Sequence, residues 1–403
     1  MSSVPLRRNR DFVLLQAGQL LSSLGTQSTV IAYPLLVLAL THSASQAGIV
    51  SFARTLPLAL FALPAGLVAD RIPRKRVMIA ADVVRVAALA ALTSVVLAHD
   101  ASYWVVPAVA FAEGTGASFF LAAQPGAMRA VVPKFQLATA TSILTARFAI
   151  VRLAGPPLGG ALFGITRSLP FLADAVSYAF STGSLLAMRT PFEEEREPDE
   201  ARLAHQLSEG LRFLWREPLL RTLAFIFALA NFILPGITLA LVVVGRRQGL
   251  TSGEIGGLVA AFGGALFVGS LLAAPVRRLL PPRAVIVLEL WTWAGCTLFL
   301  AWPSVYVLAG ALIPTGLAIP ATDSVVSPYM LSLPPDRLVG RTQAAFATFS
   351  QLVIPLGPLA AGFLLADVSA RATIAVFAVS GLALALWGTL SPAIRAAPAL
   401  DRV

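Results

Sequence analysis

Apolar and polar positions along this chain come in long blocks rather than in alternation. Twelve apolar segments can be marked: 12–40, 46–69, 77–98, 103–127, 137–165, 169–188, 219–245, 254–276, 284–301, 304–331, 340–366 and 370–392. Most exceed the about 20 residues that a helix needs to cross a hydrocarbon core of about 30 Å. They are too long for strands, and an open sheet edge in lipid would leave backbone groups unpaired. The pattern therefore predicts an all-α integral membrane protein with twelve transmembrane helices. The surplus length predicts tilt and helical extension beyond the bilayer.

Composition agrees with the pattern. The 403 residues are 57% hydrophobic and 12% charged, with a mean hydropathy of +0.80, against about 25% charged for a soluble domain. The placement of the charges adds orientation. Of the 30 Lys and Arg, 22 fall in the two tails and alternate loops, 4 in the other loops and 4 inside spans. By the positive-inside rule, both termini and the central loop are cytoplasmic, in a multi-pass protein of the cell (inner or plasma) membrane. The net charge of +10 is then a matter of topology, which argues against a nucleic-acid partner. The first apolar stretch is far longer than the core of a cleavable signal peptide.

Chemistry-bearing residues are sparse. Cys296 is the single cysteine, and His42, His99 and His205 are scattered, so no cluster has metal-site spacing. No phosphate-cradling G-x-x-x-x-G-K-[ST] loop occurs. No metal, cofactor or enzymatic activity is expected.

The chain repeats itself. Residues 153–163, LAGPPLGGALF, resemble residues 355–365, PLGPLAAGFLL. Gly155-Pro156 falls on Gly357-Pro358, Gly160 on Gly362 and Pro133 on Pro335, all at an offset of 202. Half repeats with a site at their interface are a common transporter plan. Three regions are expected: an amino-terminal six-helix bundle (1–188), a cytoplasmic linker (189–218) and a carboxy-terminal six-helix bundle (219–403). Leu203, Leu207, Leu211 and Leu214 give the linker the spacing of an amphipathic helix.

Between the second and third spans stands GLVADRIPRKR (66–76), five charges in eleven residues. It resembles the cytoplasmic loop motif of the major facilitator superfamily, roughly G-x-x-x-D-R-x-x-R-[KR], with Pro73 where Gly is usual. GPPLGG (155–160) resembles the span 5 motif of that superfamily's proton-driven antiporters, here Gly155, Pro156, Gly159 and Gly160. PFLADAVSYAFS (170–181) and EGLRFLWREPLLRTL (209–223) resemble the drug:proton antiporter branch that includes the enterobactin exporter and macrolide-efflux proteins.

The resemblance implies a gating latch. Gly66 lets spans approach closely. Asp70 faces the amino end of span 11 near Gly340 and Arg341, and Arg71, Arg74 and Arg76 bridge to Asp82 and to backbone carbonyls. A simple topological turn is the plainer alternative. The span 5 motif implies a seal against leak, against the plainer reading of a bend.

Ionisable residues at membrane depth are costly and usually face a cavity. At about 1.5 Å per residue, Glu113 and Arg147 both lie about 15 Å deep, so a Glu113–Arg147 pair, direct or through water, is expected. Arg152, Asp174 and Arg54 share a second level. Arg54 and Asp174 have the alternative of a purely structural charge pair. Asp82, Arg85 and Glu289 lie near the cytoplasmic face, where snorkelling explains them. Asp323 lies deep towards the inside of span 10, with a coupling and a structural role equally open. The 202-residue offset sets Phe349 and Ile354 opposite Arg147 and Arg152. Tyr33, Gln124, Asn231, Phe232, Trp291 and Trp293 are expected on cavity walls.

The sequence thus points to a monomeric secondary transporter in the bilayer. It is expected to export a small amphipathic molecule, antibiotic-like or a siderophore, by alternating access and proton antiport. A facilitator or uptake permease is the alternative within transport. A receptor or a lipid-acting enzyme is the alternative outside it.

Overall fold

A computed structural model describes residues 6–100, 102–192 and 200–398. Linker residues 193–199, and the side chains of Leu203 and Leu207, lie outside the description. The chain divides into two units, Met1–Pro198 with Thr251–Ala260, and Asp199–Leu250 with Ala261–Val403. Among the described residues there are helices and turns and no strand.

The first unit holds α1 (Arg10–Thr41), α2 (Ala44–Leu60), α3 (Ala62–Arg71), α4 (Arg74–Leu97), α5 (Val105–Val131), α6 (Leu137–Ile165) and α7 (Leu169–Ala187). Local chemistry sets their ends. Asn9 and Ser43 cap α1 and α2 by accepting from the amides of Phe12 and Gln46. His42 (φ 54°) and His99 (φ 57°) take the left-handed conformation that closes α1 and the turn after α4. The expected second span is two helices bent by 51°. Pro64 explains the break, because it cannot donate to the Leu60 carbonyl and its ring crowds it. By contrast α6 runs unbroken through Pro156 and Pro157, so those prolines remove amides without ending the helix.

Asp11, in the first turn of α1, accepts from the Thr190 amide (2.7 Å) and the Arg189 amide (3.1 Å), and Lys75 Nζ donates to the Met188 carbonyl (2.7 Å). These contacts fasten the end of α7 to the starts of α1 and α4.

The second unit holds α8 (Glu200–Arg216), α9 (Pro218–Arg247), most of α10 (Ser252–Leu279), α11 (Pro282–Thr292), α12 (Leu298–Ala301), α13 (Val305–Ser332), α14 (Val339–Gln351), α15 (Leu356–Asp367), α16 (Ala370–Leu390) and α17 (Pro392–Arg395). Thr251 and Glu254 form a reciprocal capping box at the head of α10. The expected eleventh span breaks at 352–355, where Pro355 and Pro358 lack the amides that would serve Gln351 and Ile354. The ninth tightens to a 3-10 turn at Trp293–Thr297 between α11 and α12. Linker helix α8 buries Leu214 in the core formed by α9, α11 and α13, with Leu220, Ile286, Leu290 and Tyr329.

Among the described residues, ten helical segments are long and apolar enough to cross a membrane, and α2 with α3 makes an eleventh. The expected sixth span is α7, along which Asp174, Ser177, Tyr178, Ser181 and Ser184 are buried. Those polar groups build the site.

Candidate functional site

A cavity of about 350 Å³ lies within the first unit, walled by α1, α2, α5 and α6, with Arg85 reaching in from α4. Its central feature is an ion pair. Arg54 of α2 grips Glu113 of α5 with both ends of its fork, Nη2 to Oε1 at 2.9 Å and Nε to Oε2 at 3.3 Å. Glu113 is only 2% exposed. A Cβ on Gly114 would collide with the Arg54 carbonyl. The missing side chain therefore lets α5 close on α2 and brings the two charges together.

The pair sits in a web of hydroxyls. Arg54 Nη2 also donates to the Thr26 carbonyl (3.0 Å) and to Thr29 Oγ1 (3.3 Å) of α1. Tyr178 of α7 donates to Glu113 Oε1 (3.4 Å), and its oxygen lies 2.7 Å from Thr26 Oγ1. Thr29 donates to Asp174 Oδ2 (3.1 Å), and Ser177 donates to Oδ1 (3.2 Å). Glu113, Arg54, Thr29 and Asp174 thus form one connected chain. Asp174 is fully buried and meets Arg54 through Thr29 rather than directly.

A second cluster lies along the same cavity. Arg147 of α6 donates through Nη1 to Gln16 Oε1 (2.9 Å) and to Gln19 Oε1, which also accepts from Gln124 Nε2 (2.8 Å). Its guanidinium stands 5.3 Å from the Phe148 ring centre. Arg152 lines the cavity one turn further on.

The chain matches the model of the family described as "Transmembrane secretion effector" over residues 2–401. The chain belongs to that family. It is a membrane transporter of the major facilitator superfamily and not an enzyme. Its relatives include the multidrug efflux pump Tap of Mycolicibacterium fortuitum, 26% identical over 95% of this chain and 96% of that protein. Macrolide efflux protein A of Streptococcus pyogenes is 25% identical over 54% of each. Among solved structures, the inward-facing, unoccupied bacterial homologue of the lysosomal transporter Spinster superposes with a TM-score of 0.74, at 15% identity and 98% coverage of both chains. That likeness speaks for the fold alone.

Several expected contacts need correction. Glu113 pairs with Arg54, not Arg147. Helical rise fixes depth but not direction around the helix, and Gly114 decides which neighbour comes close. Asp82 and Arg85 do not snorkel: both are buried and pair at 3.4 Å. Asp82 is thus engaged by Arg85, with the Arg85 guanidinium 4.7 Å from the Tyr178 ring centre. Glu289 is likewise buried and accepts from the Trp293 indole at 3.3 Å.

Gly66 offers no close approach, since among the described residues nothing lies within 4 Å of a Cβ built there. Arg74 is buried, with its guanidinium against Gly126 of α5. Asp70 is half-buried, whereas Arg71 and Arg76 are exposed. Arg341 pairs with Glu209 of linker helix α8, inside the second unit.

Gly155 and Gly159 place α6 against the backbone or side chains of Gln27 and Ser28 in α1, and Gly160 meets Ser252. Gly357, the counterpart of Gly155, packs in the same way on Phe232 of α9. Pro156 is buried within α6 and touches Gly256.

Of the expected wall residues, Gln124 lines the cavity. Tyr33 does not, being buried behind Arg54 against the Phe171 ring. Trp293 is buried on Glu289, and Trp291 is exposed and donates to Thr389. Asn231 donates to the Ser350 carbonyl. Phe232 lines an apolar groove in the second unit. Asp323 stands on an exposed face of α13.

Gln16, Gln19, Thr26, Thr29 and Tyr178 were not singled out from the sequence. Amides and hydroxyls carry no charge to mark them in an apolar run. The one available signal is the spacing of Gln16, Gln19, Thr26 and Thr29 along α1, at gaps of one or two helical turns.

Proposed function

We propose that this protein is an efflux pump that expels a small amphipathic molecule across the cell membrane by alternating access, in exchange for protons. Both termini then lie in the cytoplasm. The observation that carries the reading is Glu113, a buried carboxylate on a cavity wall whose Arg54 partner is itself bound to α1. A carboxylate there is costly unless paired. A proton arriving on Glu113 weakens the pair and releases Arg54 to the cavity, and loss of the proton restores it. Substrate and proton thereby compete for one arrangement of α1, α2 and α5. Asp174, reached through Thr29, is the second proton-carrying candidate. Efflux relatives matched over nearly the whole chain support the outward direction. The 66–76 turn, anchored by Arg74 and Lys75, serves in this reading as the gate at the cytoplasmic face.

The test uses inside-out vesicles with an acidic lumen and a fluorescent pH reporter, challenged with macrolides, dyes and siderophores. Substrate-triggered proton release is expected from the wild type and not from Glu113→Gln. Release retained by Glu113→Gln removes Glu113 from coupling and transfers the role to Asp174. Equilibration of labelled compound with no proton release, even in the wild type, makes the protein a facilitator.

A further inference from the structure

We infer that the cavity of the first unit binds an amphipathic organic anion: its recognised group is a carboxylate-like oxygen acid, held at Arg147. This rests on the efflux reading only for the statement that the bound molecule is also carried.

The argument starts from charge. Four guanidinium groups line the cavity, those of Arg54, Arg85, Arg147 and Arg152, against one carboxylate, that of Glu113. Arg54 is neutralised by Glu113 and Arg85 by Asp82. Arg147 is not neutralised. It is 5% exposed, and among the described residues no carboxylate lies within salt-bridge range of it. Its acceptors are the uncharged amide oxygens of Gln16 and Gln19. A buried guanidinium left without an anion is one of the more expensive arrangements in a membrane protein. Amide oxygens orient the fork without cancelling its charge, so the charge remains for a ligand.

Hydrogen bonding tells the same story. Arg147 Nε and Gln19 Nε2 are buried donors with no acceptor. An arginine carries five donors and no acceptor, and its fork matches a carboxylate in two-point geometry. The cluster has donors in excess, so the missing partner is an acceptor. The remaining wall mixes an apolar part, with Leu58, Phe120, Leu121, Phe148 and Val151, with the uncharged polar side chains of α1 and of Thr55. A ligand meeting both requirements has an oily body and an anionic head.

The experiment uses the purified full chain in nanodiscs and fluorescence anisotropy. Three dansyl probes share one apolar body and end in a carboxylate, a methyl ester or a primary amine. The carboxylate is expected to bind at least about tenfold more tightly than the other two, the worth of a single charge-assisted contact. Arg147→Gln should reduce the carboxylate to the affinity of the ester while leaving the ester unchanged, and Arg147→Lys should retain part of the preference. Equal binding of carboxylate and ester, tighter binding of the amine, or no binding by any probe overturns the inference. So does equal loss for both probes in Arg147→Gln, which marks a structural role. Displacement of the carboxylate probe by an equal concentration of inorganic phosphate makes the site one for free anions and overturns the amphipathic part. Should Arg147→Gln fail to fold, the wild-type ranking of the probes and of phosphate still decides. Flux in proteoliposomes separates the two readings. Tight carboxylate binding without flux defeats efflux and leaves this inference standing, whereas flux of the amine alone does the reverse.

Discussion

The two units share a plan and differ in what they line it with. In the first, α6 lies against α1, and Arg147 of α6 and Gln19 of α1 project into a polar cavity of about 350 Å³. In the second, α14 and α15 lie against α9, and the groove of about 730 Å³ is walled by Phe225, Phe232, Phe349, Leu384 and Trp387. Arg147 and Phe349 stand at the same repeat position, 202 residues apart. The close contacts that set the helix spacing, Gly155 on Gln27 and Gly357 on Phe232, are kept in both. Backbone packing has been conserved between the halves while the chemistry of the walls has diverged. A polar wall needs a partner for each buried charge, and an apolar wall needs none. This is why charges, glutamines and hydroxyls gather in one unit, the unit in which we propose proton and anion recognition.

The sharpest way to break the comparison is to strip the polar wall of one partner. Glu113→Leu leaves the Arg54 guanidinium buried without its anion and should destabilise the protein by about 3–5 kcal/mol. Arg54→Leu should cost a similar amount for the mirror reason. The double variant removes both charges and should recover most of the loss while remaining inactive in proton-coupled transport. Thermal unfolding in detergent, read by tryptophan fluorescence, follows all three. If the double variant is as unstable as either single one, the pair does not act as a unit.

Next in size is an exchange across the repeat. Phe349→Arg puts a charge among Trp215, Phe225 and Trp387, whose rings offer no carboxylate. By the cost of an arginine at membrane depth it should lose about 3 kcal/mol. The reciprocal Arg147→Phe gives up two hydrogen bonds to glutamines and removes an unneutralised charge, so its melting temperature should fall by less than half as much. Equal losses in the two variants would show that the two walls do not differ in the way proposed.

These asymmetries were only partly legible in the sequence. The all-helical membrane class was, because segments that cross lipid must be helical and largely apolar. The breaks in the second and eleventh spans were not read, although Pro64, Pro355 and Pro358 stood in plain view. Whether a proline ends a helix depends on its surroundings, and Pro156-Pro157 in α6 does not. The depth of Glu113 could be counted, but its partner could not. The choice between Arg54 and Arg147 turns on the azimuth of α5 and on the missing side chain at Gly114. Asp82 and Glu289 lie near the ends of their spans by counting, yet both are buried against Arg85 and Trp293. The second cluster was half visible. Arg147, Arg152 and Gln124 stood out, whereas Gln16 and Gln19, which hold Arg147, did not.

A smaller effect isolates the backbone device. Gly114→Ala adds one methyl group where the Arg54 carbonyl already sits. The cost of overpacking is about 1–3 kcal/mol. Because α5 must move away from α2, the Arg54–Glu113 fork should open. Transport should therefore suffer more than stability does. Substrate-triggered proton release is the measurement, compared with Gly183→Ala in α7, where nothing lies within 4 Å of the new methyl. Equal behaviour of the two alanines would remove Gly114 from its positioning role.

The smallest change probes the apolar wall by itself. Phe232→Leu trims a ring that packs 5.5 Å from the Phe377 ring and lines the groove of the second unit. A substitution that stays hydrophobic at nearly the same volume usually costs less than about 1.5 kcal/mol. No charge, donor or acceptor is disturbed, so the preference of the first unit for an anionic probe should be untouched. A shift in the carboxylate-to-ester ratio in Phe232→Leu would mean that the two walls are coupled, and that the division of labour between the units is not as clean as their residues make it.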